Sequence, residues 1–201
     1  MPEPLPSSQN RRLVLGSTSP YRRELLSRLR VPFDVAAPAV DETPLPLETP
    51  REIALRLALA KAKAVAAQHP AAVVIGSDQV ADLAGEPLGK PGTHANAVIQ
   101  LGRMSGQTVV FHTAVAVVCQ ETGFEQLELA PVKVKFRSLA HDEIERYLRA
   151  EEPYDCAGSA RSEGLGVALL DAIDSDDPTA LVGLPLIRTC RMLRAAGVKV
   201  L

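Results

Sequence analysis

Apolar and polar positions change period several times along the chain, and each change marks an element. Arg12–Leu15 is a short apolar run that predicts a buried strand. The next stretch, "GSTSPYRRELL", shifts to helical spacing. Ser19 stands where it caps the helix, and Pro20 at the first helical position, where its missing N–H costs nothing. "VPFDVAAPAVDETPLPLE" keeps neither period, and its prolines predict an extended loop bearing acids. Thr49, Pro50 and Glu52 form a capping box that opens a second helix over the alanine- and leucine-rich "IALRLALAKAKAVAAQ", up to His69–Pro70. "AVVIGSD" predicts a strand ending at Ser77–Asp78. "THANAVIQLGRMSG" predicts a helix with a glycine stop. "TVVFHTAVAVVCQ" and "QLELAPVKVKFRSL" alternate as two long strands of a hairpin turned at "ETG". "HDEIERYLRAEE" is a short charged helix, and "GLPLIRTCRMLRAAG" an amphipathic one stopped by Gly197.

Strands interleaved with helices, plus one long hairpin, predict an α/β protein with a mixed sheet. Ligands in such folds collect beyond the carboxyl ends of strands, where Ser17–Arg22 and Ser77–Asp78 both fall. Residues 1–12, polar and proline-rich, read as a flexible N-terminal arm, which leaves residues 13–201 as one domain or two lobes around a cleft.

Composition narrows the function classes. A net charge of −2 argues against coating nucleic acid, which requires an excess of lysine and arginine, but leaves room for a small phosphorylated ligand. Cys119, Cys156 and Cys190 are odd in number and widely spaced, so reduced thiols in a cytosolic protein are expected. No apolar run reaches the ~18–20 residues of a membrane span, and no signal-peptide core is visible; a cytoplasmic protein without membrane partners is expected. His69, His94, His112 and His141 are scattered, with no zinc-binding spacing. Neither a nucleophile elbow nor a Walker-type loop is present.

The candidate chemistry lies in separated acids and cations. The backbone N–H groups opening the first helix suit an oxyanion, with Ser17, Thr18 and Ser19 adding hydroxyls and Arg22 a planar fork. The same stretch reads equally as a capped helix with two solvated arginines. Asp41 and Glu42 stand side by side in a loop, as metal ligands or as solvated acids. Asp78, at the end of a buried strand, has the partial desolvation that a general base for water requires, or else it closes a turn. Lys61 and Lys63 share the second helix, whereas Lys90 sits in a turn stiffened by Pro87 and Pro91. "YDCAGSARSEGLG" presents Glu163 from a glycine-spaced loop, or is simply a surface loop. Together, Arg22, Lys61 and Lys90 with Asp41, Glu42 and Asp78 make the mixture that a triphosphate with a divalent cation needs: charges to neutralise phosphate and a carboxylate to position water.

The motifs "GSTSPYRRELL", "AVDETP", "LALAKA", "GSDQV", "GKPG", "SG" before a strand and "CAGSARSEGLG" resemble, in order and spacing, the Maf-like family of septum formation inhibitors, which are nucleoside triphosphate pyrophosphatases. The resemblance runs from Leu13 to the last helix. It implies a two-lobed mixed-sheet α/β fold similar to the inosine triphosphate pyrophosphatases, with the active cleft between the lobes and commonly a homodimer. It implies cleavage between the α- and β-phosphates of a nucleotide, with Mg²⁺ or Mn²⁺ as cofactor. Carried onto this chain, Ser17, Arg22, Lys61 and Lys90 are the expected phosphate ligands, Glu42 a metal or water ligand, and Asp78 the proton acceptor. The choice between Lys61 and Lys63 falls to Lys61 on the resemblance alone.

The resemblance also divides by substrate. Members similar to thymidine and uridine triphosphate pyrophosphatases carry arginine, threonine and glutamine where this chain has Tyr21, Gln79 and Glu163. The set found here resembles the branch acting on 7-methyl-GTP. Charge agrees, because N7-methylguanine is cationic unless N1 deprotonates: Glu163 would accept from N1–H and the exocyclic amine, and stacking on Tyr21 would add about 0.5–2 kcal/mol. Thymine or uracil, with one ring N–H between two carbonyl oxygens, suits an amide better. The alternatives are a dTTP/UTP pyrophosphatase, a house-cleaning enzyme for several modified nucleotides, and a division regulator that binds without turnover.

Overall fold

A computed structural model describes residues 11–201. The rest of the expected N-terminal arm lies outside the described residues. Arg11 donates to the Ala71 carbonyl and pairs with Glu121, and the Arg12 carbonyl accepts from Val73 N–H.

The apolar run forms strand β1 (Leu13–Gly16). Helix α1 (Pro20–Ser27) follows as expected, the Ser19 hydroxyl accepting from Arg22 N–H. Inside the proline-rich stretch, Asp34–Ala36 forms a three-residue strand, β2, that the pattern does not reveal. Helix α2 (Pro50–Ala66) opens on the complete capping box: Thr49 Oγ1 accepts from Glu52 N–H, and Glu52 accepts from Thr49 N–H. Such a cap contributes about 1 kcal/mol.

Strand β3 (Val73–Leu83) corrects one expectation, since it runs past Asp78 instead of ending there. Its pairing explains why. Parallel pairing with β1 stops at Gly16↔Gly76, while antiparallel pairing with β5 (Thr108–Cys119) continues from Val74 to Asp82. Asp78 thus stands mid-strand, where the neighbour on one side has ended. β4 (Glu86–Leu88), α3 (His94–Met104), β6 (Phe124–Phe136), α4 (His141–Glu151), β7 (Leu170–Asp174) and α5 (Leu186–Ala195) complete the order. The expected hairpin is β5–β6, paired in unbroken register from Thr108↔Lys135 to Cys119↔Phe124.

The seven strands form one mixed sheet, ordered β2-β1-β3-β5-β6-β7 with β4 on β3. Alternation gives the sheet two apolar faces. Val14, Val74, Ala114 and Ala116 meet α2 on one face, while Leu15, Ile75, Val115 and Val117 meet α1 and α5 on the other. A separate core gathers Leu101, Met104, Phe111, Val134, Phe136 and Leu148, where α3 and α4 pack on the far arms of β5 and β6. Each such side chain contributes about 1.5–3 kcal/mol by leaving water. No helix of the described residues is long and apolar enough to cross a membrane.

Candidate active site

Two glycines set the distances at the centre of the molecule. Ala54, Ala58 and Ala62 recur every fourth residue and give α2 a low ridge. Gly76 lies against that ridge so closely that a Cβ there would come within 2.3 Å of the Ala58 carbonyl oxygen. The close approach brings Lys61 down onto β3, buried beside Asp78. Gly16, ending β1, is closely but less tightly packed, a Cβ there standing 3.2 Å from the Ile75 carbonyl oxygen, and the chain turns directly into Ser17 and the start of α1.

Around this point opens a cavity of about 690 Å³, with residues of all three apolar clusters in its walls, among them Leu57, Leu181 and Val182. Of the residues singled out for phosphate, metal, base or catalysis, Ser17, Tyr21, Arg22, Glu42, Lys61, Asp78, Gln79, Lys90 and Glu163 line it, and Asp41 does not. Lys63, two residues beyond Lys61, is exposed and pairs with Glu125 at 2.9 Å, so helix geometry separates the two lysines.

The Lys61 ammonium donates to Asp78 Oδ1 at 2.7 Å and pairs with Glu42 Oε1 at 2.9 Å. Burial pushes the Asp78 carboxyl above the ordinary aspartate range, while Lys61 and Arg22 pull it back. Burial likewise lowers Arg22 from its usual value, opposed by Asp78 and Glu42, and the guanidinium stays charged. Arg22 Nε donates to the Gly183 carbonyl at 2.8 Å and Nη1 to Ser17 Oγ at 3.4 Å; among the described residues it forms no ion pair. Ser17 Oγ also accepts from Ser19 N–H, which leaves the Ser17 hydroxyl proton for a ligand. Exposed Lys90 has no ion pair among the described residues either.

Asp41 turns out to hold the loop. Its Oδ1 accepts from Thr43 N–H at 2.9 Å, and the Thr43 side chain first, with this backbone bond next, lowers its carboxyl below the ordinary range. Glu42 alone of the adjacent acids lines the cavity.

Tyr21, Gln79 and Glu163, the residues expected to select the base, line the same cavity. Gln79 Nε2 lies within 3.0 Å of Thr113 Oγ1 and the Ala180 and Leu181 carbonyls, so its nitrogen is committed to protein and its oxygen is the free polar atom. The Tyr21 phenol is raised by burial first and by Cys156 next. Burial also pushes the Cys156 thiol up to about 11, which keeps it protonated and unreactive at neutral pH. Sequence reading missed the wall formed by Leu181–Gly183. There the Gly183 carbonyl accepts from both Arg22 and the buried Ser77 hydroxyl. Gly183 has φ 118°, and the glycine-proline spacing of "VGLP" was the available signal.

The donor set fits a hard divalent cation. Asp78 and Glu42 present carboxylate oxygens around one point that now holds the positive charge of Lys61. No group of three or more His, Cys, Asp or Glu side chains gathers among the described residues, so phosphate oxygens and water would complete a shell.

The family model described as Maf-like protein matches residues 12–196. A protein of Albidiferax ferrireducens named 7-methyl-GTP pyrophosphatase is 69% identical over 201 residues, covering 100% of this chain and 99% of its own length. A protein of Polaromonas sp. with the same name is 75% identical over 189 residues, 94% of this chain and 86% of its own. A third so named, from Aromatoleum aromaticum, is 63% identical over 186 residues, 92% and 96% of the two chains. With a site of this composition and a family match along nearly its whole length, the chain belongs to the Maf-like family.

Proposed function

We propose that the protein is a pyrophosphatase that hydrolyses 7-methyl-GTP to 7-methyl-GMP and pyrophosphate. The observation that carries this reading is one cavity lined both by a buried carboxylate among cations and by Tyr21 and Glu163, an aromatic ring and a second carboxylate. The names of the relatives support the same substrate.

In this reading Ser17, Arg22, Lys61 and Lys90 bind the triphosphate. Asp78 takes a proton from a water whose oxygen attacks the α-phosphorus; the bond from that phosphorus to the bridging oxygen breaks, and pyrophosphate leaves with the electron pair. Lys61 has a second task, because its charge keeps the desolvated Asp78 ionised and able to accept the proton. Glu42, with Asp78, would hold Mg²⁺ or Mn²⁺, which supplies charge neutralisation at the phosphates. Glu163 and the free oxygen of Gln79 accept from the N1–H and amine edge of the base, and Tyr21 stacks on it. A homodimer and a cytoplasmic location belong to the same reading.

Incubation of 7-methyl-GTP with the protein and Mg²⁺ should release pyrophosphate and 7-methyl-GMP in equal amounts, and a chelator should stop it without unfolding the protein. Orthophosphate as the first product would contradict the site of cleavage. Nucleotide binding without turnover would favour a non-catalytic regulator.

A further inference from the structure

Arg161 belongs to none of these roles, yet it touches both groups assigned to the base. Its backbone is firmly held. Arg161 N–H donates to the Tyr147 phenol oxygen at 2.9 Å, and its carbonyl accepts from Gly164 and Gly166 N–H at 3.1 Å each. Gly166 must lack a side chain for this, since a Cβ would stand 2.4 Å from that carbonyl oxygen.

The guanidinium is held by charge alone. Its carbon lies 5.5 Å from the centre of the Tyr21 ring. Nε is 3.6 Å from Glu163 Oε1, and Nη1 is 3.6 Å from Glu151 Oε2. Both separations exceed hydrogen-bond length, and the buried Nε has no acceptor among the described residues. A buried donor left unpaired is costly, so this cation is an under-satisfied occupant between two carboxylates.

A planar, delocalised cation over an aromatic ring and beside a carboxylate has the chemistry of an N7-methylated purine. In the free protein Arg161 therefore uses up the attractions of Tyr21 and Glu163 for such a base. Glu151, the last residue of α4, offers an equal alternative at the same distance. It is fixed in place, its Oε1 accepting from Leu165 N–H at 2.9 Å and its carboxylate pressed on Gly164, where a Cβ would approach within 2.6 Å. A shift of the guanidinium toward Glu151 leaves no charge unpaired when a second cation reaches Glu163.

We propose that Arg161, which lies outside the lining of the cavity but against its wall residues Tyr21 and Glu163, is their resident cation and passes from Glu163 to Glu151 when a cationic purine binds. This rests on the assignment of Tyr21 and Glu163 to the base. Arg161 and Glu151 are thus positioning residues that act through Glu163.

Calorimetric titration of 7-methyl-GMP and GMP against the wild type, Glu151→Gln, Arg161→Met and the double variant tests this. Gln retains the acceptor for Leu165 N–H, and Arg161→Gln serves if the methionine variant does not fold. Glu151→Gln should weaken 7-methyl-GMP by about threefold, the scale of a partly exposed ion pair, and weaken GMP less. Arg161→Met should tighten 7-methyl-GMP by about threefold as the competing cation leaves Tyr21. In the Arg161→Met background, Glu151→Gln should have no further effect. If Arg161→Met weakens binding, or the Glu151→Gln penalty persists without Arg161, the exchange is wrong while the substrate reading stands. If the wild type binds GMP as tightly as 7-methyl-GMP, the base assignment fails, and the exchange with it.

Discussion

Burial holds Asp78 above the ordinary aspartate range, while Lys61 at 2.7 Å and Arg22 draw it down. A base that works on water needs this tension, because a fully solvated aspartate is too weak a base and a fully desolvated one stays protonated. Asp78→Asn should keep the fold and lower kcat by about 10²–10⁴, read as pyrophosphate release. Near-wild-type turnover would remove Asp78 from the mechanism. Catalysis requires the ionised form, so kcat/KM should fall with acid on a limb lying above the ordinary aspartate value. Stability runs the other way. With its folded pKa above the unfolded one, Asp78 contributes stability that is present below the unfolded value and lost as pH rises through the folded value. The thermal midpoint of Asp78→Asn should accordingly vary less with pH across that window than the wild type's.

The elements that carry these residues depend on how closely they approach. Gly76→Ala puts a methyl group 2.3 Å from the Ala58 carbonyl and 2.5 Å from Ala62 N, both backbone atoms of α2, so the helix must move off β3. The expected cost is about 1–3 kcal/mol of overpacking, measured by urea unfolding. Turnover should fall further than stability accounts for, because Lys61 moves away from Asp78. Turnover unchanged despite that cost would show that the Lys61–Asp78 separation is not critical. The same elements show what could be read from the chain. The helices were legible because α1 and α2 announce themselves by Ser19–Pro20 and Thr49–Pro50–Glu52, which act locally. The end of β3 was not legible: Ser77, Asp78 and Gln79 look like a strand terminus, but β5 continues to pair with them from a distant part of the chain. β2 and β4, at three residues each, are too short to show a period. Asp41 and Glu42 are chemically alike in sequence, and only the hydrogen bond to Thr43 and the reach to Lys61 divide them. Glu151 looked like part of a charged helix end, since the loop it clamps begins ten residues later.

At the scale of the molecule, one sheet supports three apolar clusters, and the cavity takes its walls from all of them. β3 spans them: Val74 packs against α2, Ile75 on the opposite face and Ala81 in the third cluster, with Asp78 between. The cavity's cations Arg22, Lys61 and Lys90 come from α1, α2 and the turn after β4, and Tyr21, Gln79 and Glu163, proposed to select the base, from α1, β3 and the 161–166 loop. In the proposed reading the two sets of residues serve chemistry and selection separately. The central claim is that selection favours a cationic purine. Its most direct test is kcat/KM for pyrophosphate release from 7-methyl-GTP, GTP, dTTP and UTP under one set of conditions. The account predicts the highest value for 7-methyl-GTP, with GTP below it for want of the positive charge. Equal or higher values for dTTP or UTP would contradict it.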